Sequence, residues 1–290
     1  MSGRRQTKRR LRRGKTRRQR GGGLVVGKFQ ADGSKKPNED TMAAITEGTV
    51  AVVCVFDGHG GPECSRYVEA RLPEIIHTKA AAASGSAAIS TMLKEEFATI
   101  DGLIKAEHWS RETGSTGTVC VVTATEIIVA NVGDSPAVVF TAEGELLHTT
   151  VDHDCDNPEE AARVVAAGGH VSEEEGDVKR VNGELAVSRA FGDFSLKPHV
   201  IVEPQIYVWP RVAGTFLGIC SDGLTEKSTE HGIEHAVTRA ELAAKISAGI
   251  RTSPNLSAAS RKIVQAQADQ FISNSGRYQG DNVSLVIAAL

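Results

Sequence analysis

Four aspartates sit where apolar runs begin or end, and that placement is the first sign of chemistry in the chain. Asp57 directly follows Ala51–Phe56. Asp134 follows the run 127–132 across one glycine, Asp222 follows Phe216–Cys220 across one serine, and Asp281 stands just before the run 283–288. Glu39-Asp40 arrives from the segment before them. In antiparallel pairing the C-terminal end of one strand and the N-terminal end of its neighbour share an edge, so these acids can meet at one rim. Like charges gathered there repel each other unless cations occupy the site. Oxygen donors without Cys or His partners suit hard Mg²⁺ or Mn²⁺ better than zinc. Taken singly, each aspartate reads better as a turn residue than as a ligand, Asp57-Gly58 and Asp222-Gly223 above all. Their number and common placement favour the metal reading.

The elements that must position them are short, β-branched and apolar: 49–56, 118–123, 127–132, 137–140, 215–220 and 283–288 read as buried strands. The second and third are close enough for a hairpin. Helical stretches lie between them. One runs from Pro62 to about residue 77, with Pro73 kinking or ending it. Another covers 86–105. A third opens on Asn157-Pro158-Glu159-Glu160, which supplies a cap, a proline at the first helical position and acids in the first turn, and closes at Gly168-Gly169. Two more cover 241–250 and 257–271. Strands that are consecutive or separated by long helices predict α+β layers in place of a regular βαβ alternation.

The 290 residues are 40% apolar and 24% charged, enough for one sizeable core, but only 4% aromatic, so Val, Ile, Leu and Ala must build it. No apolar run approaches the roughly 18 to 20 residues of a membrane span. The basic first residues lack an apolar stretch behind them, so no secretory signal is expected. Cys54, Cys64, Cys120, Cys155 and Cys220 form an odd set without a C-x-x-C pair, which fits core thiols in a reducing, intracellular setting. Charge is distributed unevenly. Residues 1–20 hold eleven of the 33 Lys and Arg and none of the 36 acids, leaving 22 basic groups against 36 acidic ones, a formal −14, on the rest. The sequence therefore predicts a basic arm, disordered on its own, and a glycine joint over 1–23, followed by one catalytic domain over 24–290.

In order along the chain stand Asn38-Glu39-Asp40, Asp57-Gly58-His59-Gly60-Gly61, Gly114-Ser115-Thr116-Gly117, Asn131-Val132-Gly133-Asp134-Ser135, the stretch 180–193 (RVNGELAVSRAFGD), Ser221-Asp222-Gly223 and Asp281-Asn282. This series resembles the successive motifs of the type 2C metal-dependent protein phosphatases, from about residue 24 to the C-terminus. The resemblance implies a four-layer α-β-β-α sandwich of two antiparallel sheets flanked by helices, with a two-metal site at one end. By position, Asp57 is expected to bridge two Mg²⁺ or Mn²⁺ ions and the Gly58 carbonyl to touch one. Asp222 and Asp281 would complete the other ion's surroundings, with Glu39 and Asp40 acting directly or through water. Asp134 and Asp222 match positions that hold a weaker third ion in some members. His59 matches the family's proposed general acid; the alternative is a histidine at the metal's edge, fixed by a hydrogen bond. Hydrolysis by a metal-bridging hydroxide needs no protein nucleophile, in keeping with the absence of a C-x₅-R loop or a G-x-S-x-G elbow.

The chain departs from the pattern at three points. Lys35 stands where many eukaryotic members place a phosphate-holding arginine, keeping the charge but losing the bidentate fork. Pro136 replaces an arginine after Gly-Asp-Ser, and Thr225-Glu226 replaces Trp-Asp; both leave the candidate ligands intact. The leading expectation is a monomeric phosphoserine/phosphothreonine phosphatase, cytoplasmic or nuclear, acting on phosphoproteins. A phosphatase-like binding protein without turnover is the alternative, disfavoured by the intact acids. The arm reads as a nucleic-acid contact, an import signal or a solvated tail.

Overall fold

The central strands are apolar along most of their length because both of their faces are covered. In Ala51–Phe56, the side chains of Val52, Cys54 and Phe56 pack beneath helices, while Ala51, Val53 and Val55 face a second sheet. A strand with one wet face would alternate instead. The computed structural model describes residues 23–32, 37–173, 178–229, 232–235, 237–274 and 280–290. The basic stretch 1–20, Gly21-Gly22 and Lys35 lie outside the described residues.

The strands of the two main sheets are β1 (Val25–Ala31), β2 (Thr41–Ile45), β3 (Ala51–Phe56), β4 (Gly117–Val122), β5 (Glu126–Val132), β6 (Ala137–Phe140), β7 (Leu146–Thr149), β8 (Gln205–Pro210), β9 (Phe216–Cys220) and β10 (Val283–Ala289). One sheet runs β8-β5-β4-β3-β2 and the other β1-β10-β9-β6-β7, with every neighbouring pair antiparallel. The helices are α1 (Glu63–Glu69), α2 (Leu72–Ala82), α3 (Ser86–Ile104), α4 (Pro158–Ala166), α5 (Arg239–Arg251) and α6 (Leu256–Asn274). Helices α1–α3 cover the first sheet through Val68, Leu72, Ile76, Leu93, Phe97 and Ile100. Helices α5 and α6 cover the second through Leu242, Ile246, Ile263 and Phe271. Between the sheets Val53, Val55, Ile127 and Val129 meet Val139, Leu217, Ile219 and Val286. The result is an α-β-β-α sandwich, and each fully buried Val, Leu, Ile or Phe contributes about 1.5–3 kcal/mol through its removal from water.

Local signals explain several helix starts. Asn157 caps α4 by accepting from the Glu159 N–H, and Thr238 with Glu241 forms a reciprocal capping box on α5. The helix expected after Pro62, to be kinked or ended by Pro73, ends at Glu69, and a second helix starts at Leu72. Pro73 sits in the first turn of α2, where a missing N–H leaves no helix bond unmade. All five cysteines are buried free thiols, and burial pushes the Cys220 thiol up to about 12. Among the described residues no helix is long and apolar enough to cross a membrane.

The described residues of 153–173 and 178–200 form a smaller lobe around Cys155, Val164, Val181, Ala190 and Val200. Glu160 of α4 anchors it. The buried carboxylate accepts from Arg163, Arg189 and the Ser188 hydroxyl, the last at 2.6 Å. Burial alone would raise this acid, but the hydrogen bonds from Arg189 and Ser188 and the two guanidinium charges outweigh it and bring the group down to about 2. Its contribution to stability is therefore complete above the ordinary value of 4.5 and lost only as pH falls through about 2. Glu160→Ala is expected to cost about 2–3 kcal/mol in urea denaturation at neutral pH. That is below the cost of breaking a fully buried pair, because Arg163 and Arg189 keep side-chain exposures of 24% and 18%.

Candidate active site

The register of the two sheets brings the acidic strand ends together. Thr41 pairs with Phe56 and Val55 with Thr118, while Gly117 pairs with Val132. In the other sheet Ala31 pairs with Val283 and Cys220 with Leu285. Asp40, Asp57 and Asp134 thus leave the first sheet at the end where Asp222 and Asp281 leave the second. The backbone of Asp57 is clamped: its N–H donates to Thr116 Oγ1 at 3.1 Å, and its carbonyl accepts from the Thr116 N–H at 2.8 Å and the Ser115 hydroxyl at 3.1 Å. Thr116 in turn shares a 2.7 Å hydrogen bond with Ser135, next to Asp134. On the other side Asn282 joins the sheets, accepting from the Glu39 N–H at 2.8 Å and donating to the Asp32 carbonyl at 2.8 Å. Gly223 lets the Asp222 turn lie against this segment, since a Cβ there would stand 2.2 Å from the Asn282 carbonyl oxygen.

The carboxylates perturb one another strongly. Asp57 is held well above the ordinary range by burial and then by the charges of Asp40, Asp222, Asp281 and Asp134. Burial followed by Asp222, Asp152 and Asp154 does the same to Asp134. Burial raises Asp40 to about 6 against the pull of Ser284, Asp57 and Ser221, with Asp281 adding to the rise. Both Asp40 oxygens are buried without a donor at hydrogen-bond geometry. Such a set of hard oxygen donors fits divalent cations, whose charge would replace the missing donors. Among the described residues no three Asp, Glu, His or Cys side chains are already drawn into a closed ligand cage. Of these acids Asp134 and Asp222 line a cleft of about 230 Å³, together with Asp152, Asp154, Asp156 and Arg239 among others.

A short ribbon stands beside Asp57, with Gly114-Ser115 between Gly58-His59 and Phe191-Gly192. It places His59 Nε2 2.8 Å from Oδ2 of buried Asp193. In sequence Asp193 only closes the stretch 180–193, with no sign of its role; its partner lies 134 positions away, and only the pairing of these strands reveals the contact.

Comparison with known proteins agrees with this geometry. The sequence profile described as Protein phosphatase 2C matches residues 25–273. The chain belongs to the protein phosphatase 2C family. Probable protein phosphatase 2C 59 of Oryza sativa subsp. japonica is 36% identical over 226 residues, covering 72% of this chain and 66% of the relative. Probable protein phosphatase 2C 30 of the same plant is 36% identical over 199 residues, 59% of this chain, which spans about half of that relative's length (48%). A solved structure described as a C. elegans sex determining protein superposes with a TM-score of 0.77 at 27% identity, over 92% of this chain and 65% of that one. A phosphatase from Toxoplasma gondii superposes with a TM-score of 0.74 over 92% and 95% of the two chains. At 20% identity it supports the protein phosphatase 2C fold alone.

Proposed function

We propose that this chain is a Mg²⁺- or Mn²⁺-dependent phosphatase of phosphoserine and phosphothreonine in proteins. The observation that carries the reading is the group of mutually perturbed carboxylates at one end of a protein phosphatase 2C sandwich. Asp57, the Gly58 carbonyl, Asp222 and Asp281, with Glu39 and Asp40, are the residues that would hold two cations, and Asp134 with Asp222 would hold a weaker third. When bound, such cations neutralise phosphate charge and make a water acidic enough to attack near neutral pH.

The protein's own groups do the rest. The Thr116–Ser135 clamp fixes Asp57 before substrate arrives, so little reorganisation is needed during the reaction. As water oxygen bonds to phosphorus, the P–O bond to the serine or threonine oxygen breaks, and the departing alkoxide takes a proton from the His59 ring. Solvent then restores that proton. Lys35 occupies the sequence position suited to anchoring the phosphate as a point charge.

The test is phosphate release from phosphoserine and phosphothreonine peptides. Turnover that requires Mn²⁺ or Mg²⁺ and stops with EDTA is expected. Turnover indifferent to EDTA contradicts the cation dependence, and binding of a phosphopeptide without turnover favours the non-catalytic alternative.

A further inference from the structure

We propose that Asp193 is the positioning residue for His59. Its carboxylate accepts a hydrogen bond from the Nε2–H of the ring, so the proton handed to the departing alkoxide is the Nδ1–H of the imidazolium, and the neutral ring left behind keeps its hydrogen on Nε2 until solvent reprotonates Nδ1. This rests on the acid role proposed for His59.

An ionised carboxylate can only accept a hydrogen bond, so the 2.8 Å contact requires hydrogen on Nε2. In the neutral ring Nδ1 is then bare. The contact is built into the surrounding fold. His59 pairs with Gly114 on one side of the ribbon, and Gly192 pairs with Gly114 on the other. The two side chains therefore meet above the central residue, which must be glycine. A Cβ at Gly114 would stand 2.0 Å from Asp193 Oδ2 and 2.3 Å from His59 Nε2. Asp193 itself holds a left-handed backbone with φ of 50°, a conformation that Asp and Asn tolerate better than most residues.

Helix α3 fixes the segment from behind. Asp101, buried on that helix, accepts from the Gly192 N–H at 2.8 Å and pairs with Lys197 at 3.2 Å. Lys197 also donates to the Ala190 carbonyl at 3.1 Å. Phe97 of the same helix packs on Phe191 with ring centroids 4.9 Å apart. A segment anchored at so many points on either side of Asp193 sets the direction of its carboxylate, and with it that of the imidazole, before substrate binds.

Asp193→Asn tests the proposal without disturbing the left-handed backbone. The amide loses the charge and can donate in place of accepting, so the ring's tautomer is no longer fixed. On a phosphoserine peptide kcat is expected to fall about 10- to 100-fold, with a much smaller fall on an aryl phosphate and an unchanged Tm. In a His59→Gln background the same change should have no further effect. Gly114→Ala should reproduce the selective loss from the opposite side of the contact. A readout independent of turnover is the ¹⁵N spectrum of histidine-labelled full-length protein, with His59 assigned through His59→Gln: the neutral ring should carry its proton on Nε2. Equal losses on both substrates, or a full additional loss in the His59→Gln background, overturn the positioning role. A neutral His59 ring protonated mainly on Nδ1 overturns it without touching the acid reading. A His59→Gln variant that slows both substrate types equally removes the acid reading itself, and proton delivery through Nδ1 with it.

Discussion

Asp57→Asn is expected to lower turnover on a phosphoserine peptide by on the order of 10³-fold or more under saturating Mn²⁺. Charge stabilisation by cations in such sites is worth several kcal/mol, and each 1.36 kcal/mol is a factor of ten in rate. The same change should leave the fold intact, because the clamp from Thr116 and Ser115 engages only the backbone of Asp57. It should also stabilise the cation-free protein. Asp57, Asp40 and Asp134 are all raised in the folded state, each first by burial and then by neighbouring acids: Asp40, Asp222, Asp281 and Asp134 act on Asp57, Asp281 on Asp40, and Asp222 on Asp134. Stability contributed by a raised acid is complete below its unfolded value and is lost as pH climbs through its folded value. For Asp40 that window runs from 3.8 to about 6. The Tm of EDTA-treated wild type should therefore carry a decline across this window that Asp57→Asn makes shallower. Mn²⁺ should raise the wild-type Tm more at pH 7 than at pH 5, since ligands must be deprotonated to bind. Turnover of Asp57→Asn within tenfold of wild type would sink the two-cation assignment.

What the sequence disclosed and what it hid both follow from burial and distance. Strands β3, β4, β5 and β10 are covered on both faces and so appear as continuous apolar runs. Edge strands carry no such mark. Gln205–Pro210 exposes Gln205, Val208 and Pro210, and Val25–Ala31 has only Gly27 buried; neither stands out in the sequence, although each completes the edge of a sheet. Thr41–Ile45 and Leu146–Thr149 are too short and too mixed to signal a strand alone. Pro73 marks the break between α1 and α2, but spacing alone could not tell a kink or an end from the opening of a new helix, which a proline in a first turn also permits.

The site divides in the same way. The aspartates at strand ends were legible because their placement depends on neighbouring residues of the chain. The partners of His59, Gly192 and Glu160 were not, because those contacts join segments 134, 91 and 28–29 positions apart. Spacing along a chain cannot express a pairing that only the packed ribbon and lobe create. Asp101 and Glu160 look in sequence like ordinary polar positions of amphipathic helices, yet both are buried where a loop must be held.

His59→Gln is expected to reduce kcat on phosphoserine peptides by about 10²- to 10⁴-fold, the usual range for a lost general acid. Glutamine retains size and hydrogen-bonding capacity, so the ribbon of Gly58-His59, Gly114-Ser115 and Phe191-Gly192 should persist. The ring is only partly exposed, with 24% of its side-chain surface open, and it lies two residues beyond Asp57 in the strand that leaves the acidic rim. From there an acid can reach a leaving oxygen while the water attacks from the other side. An alkoxide leaving group is strongly basic and needs that proton as the P–O bond breaks; an aryloxide is stable enough to depart with little help. The loss on an aryl phosphate should accordingly be much smaller than the loss on the peptide, with KM little changed on either, because the contribution is made in the transition state and not in binding. Paired kcat measurements on both substrate types at one pH and one Mn²⁺ concentration check this. A uniform loss assigns His59 to holding the metal rim in place, and a rise in KM that accounts for the whole effect assigns it to substrate binding.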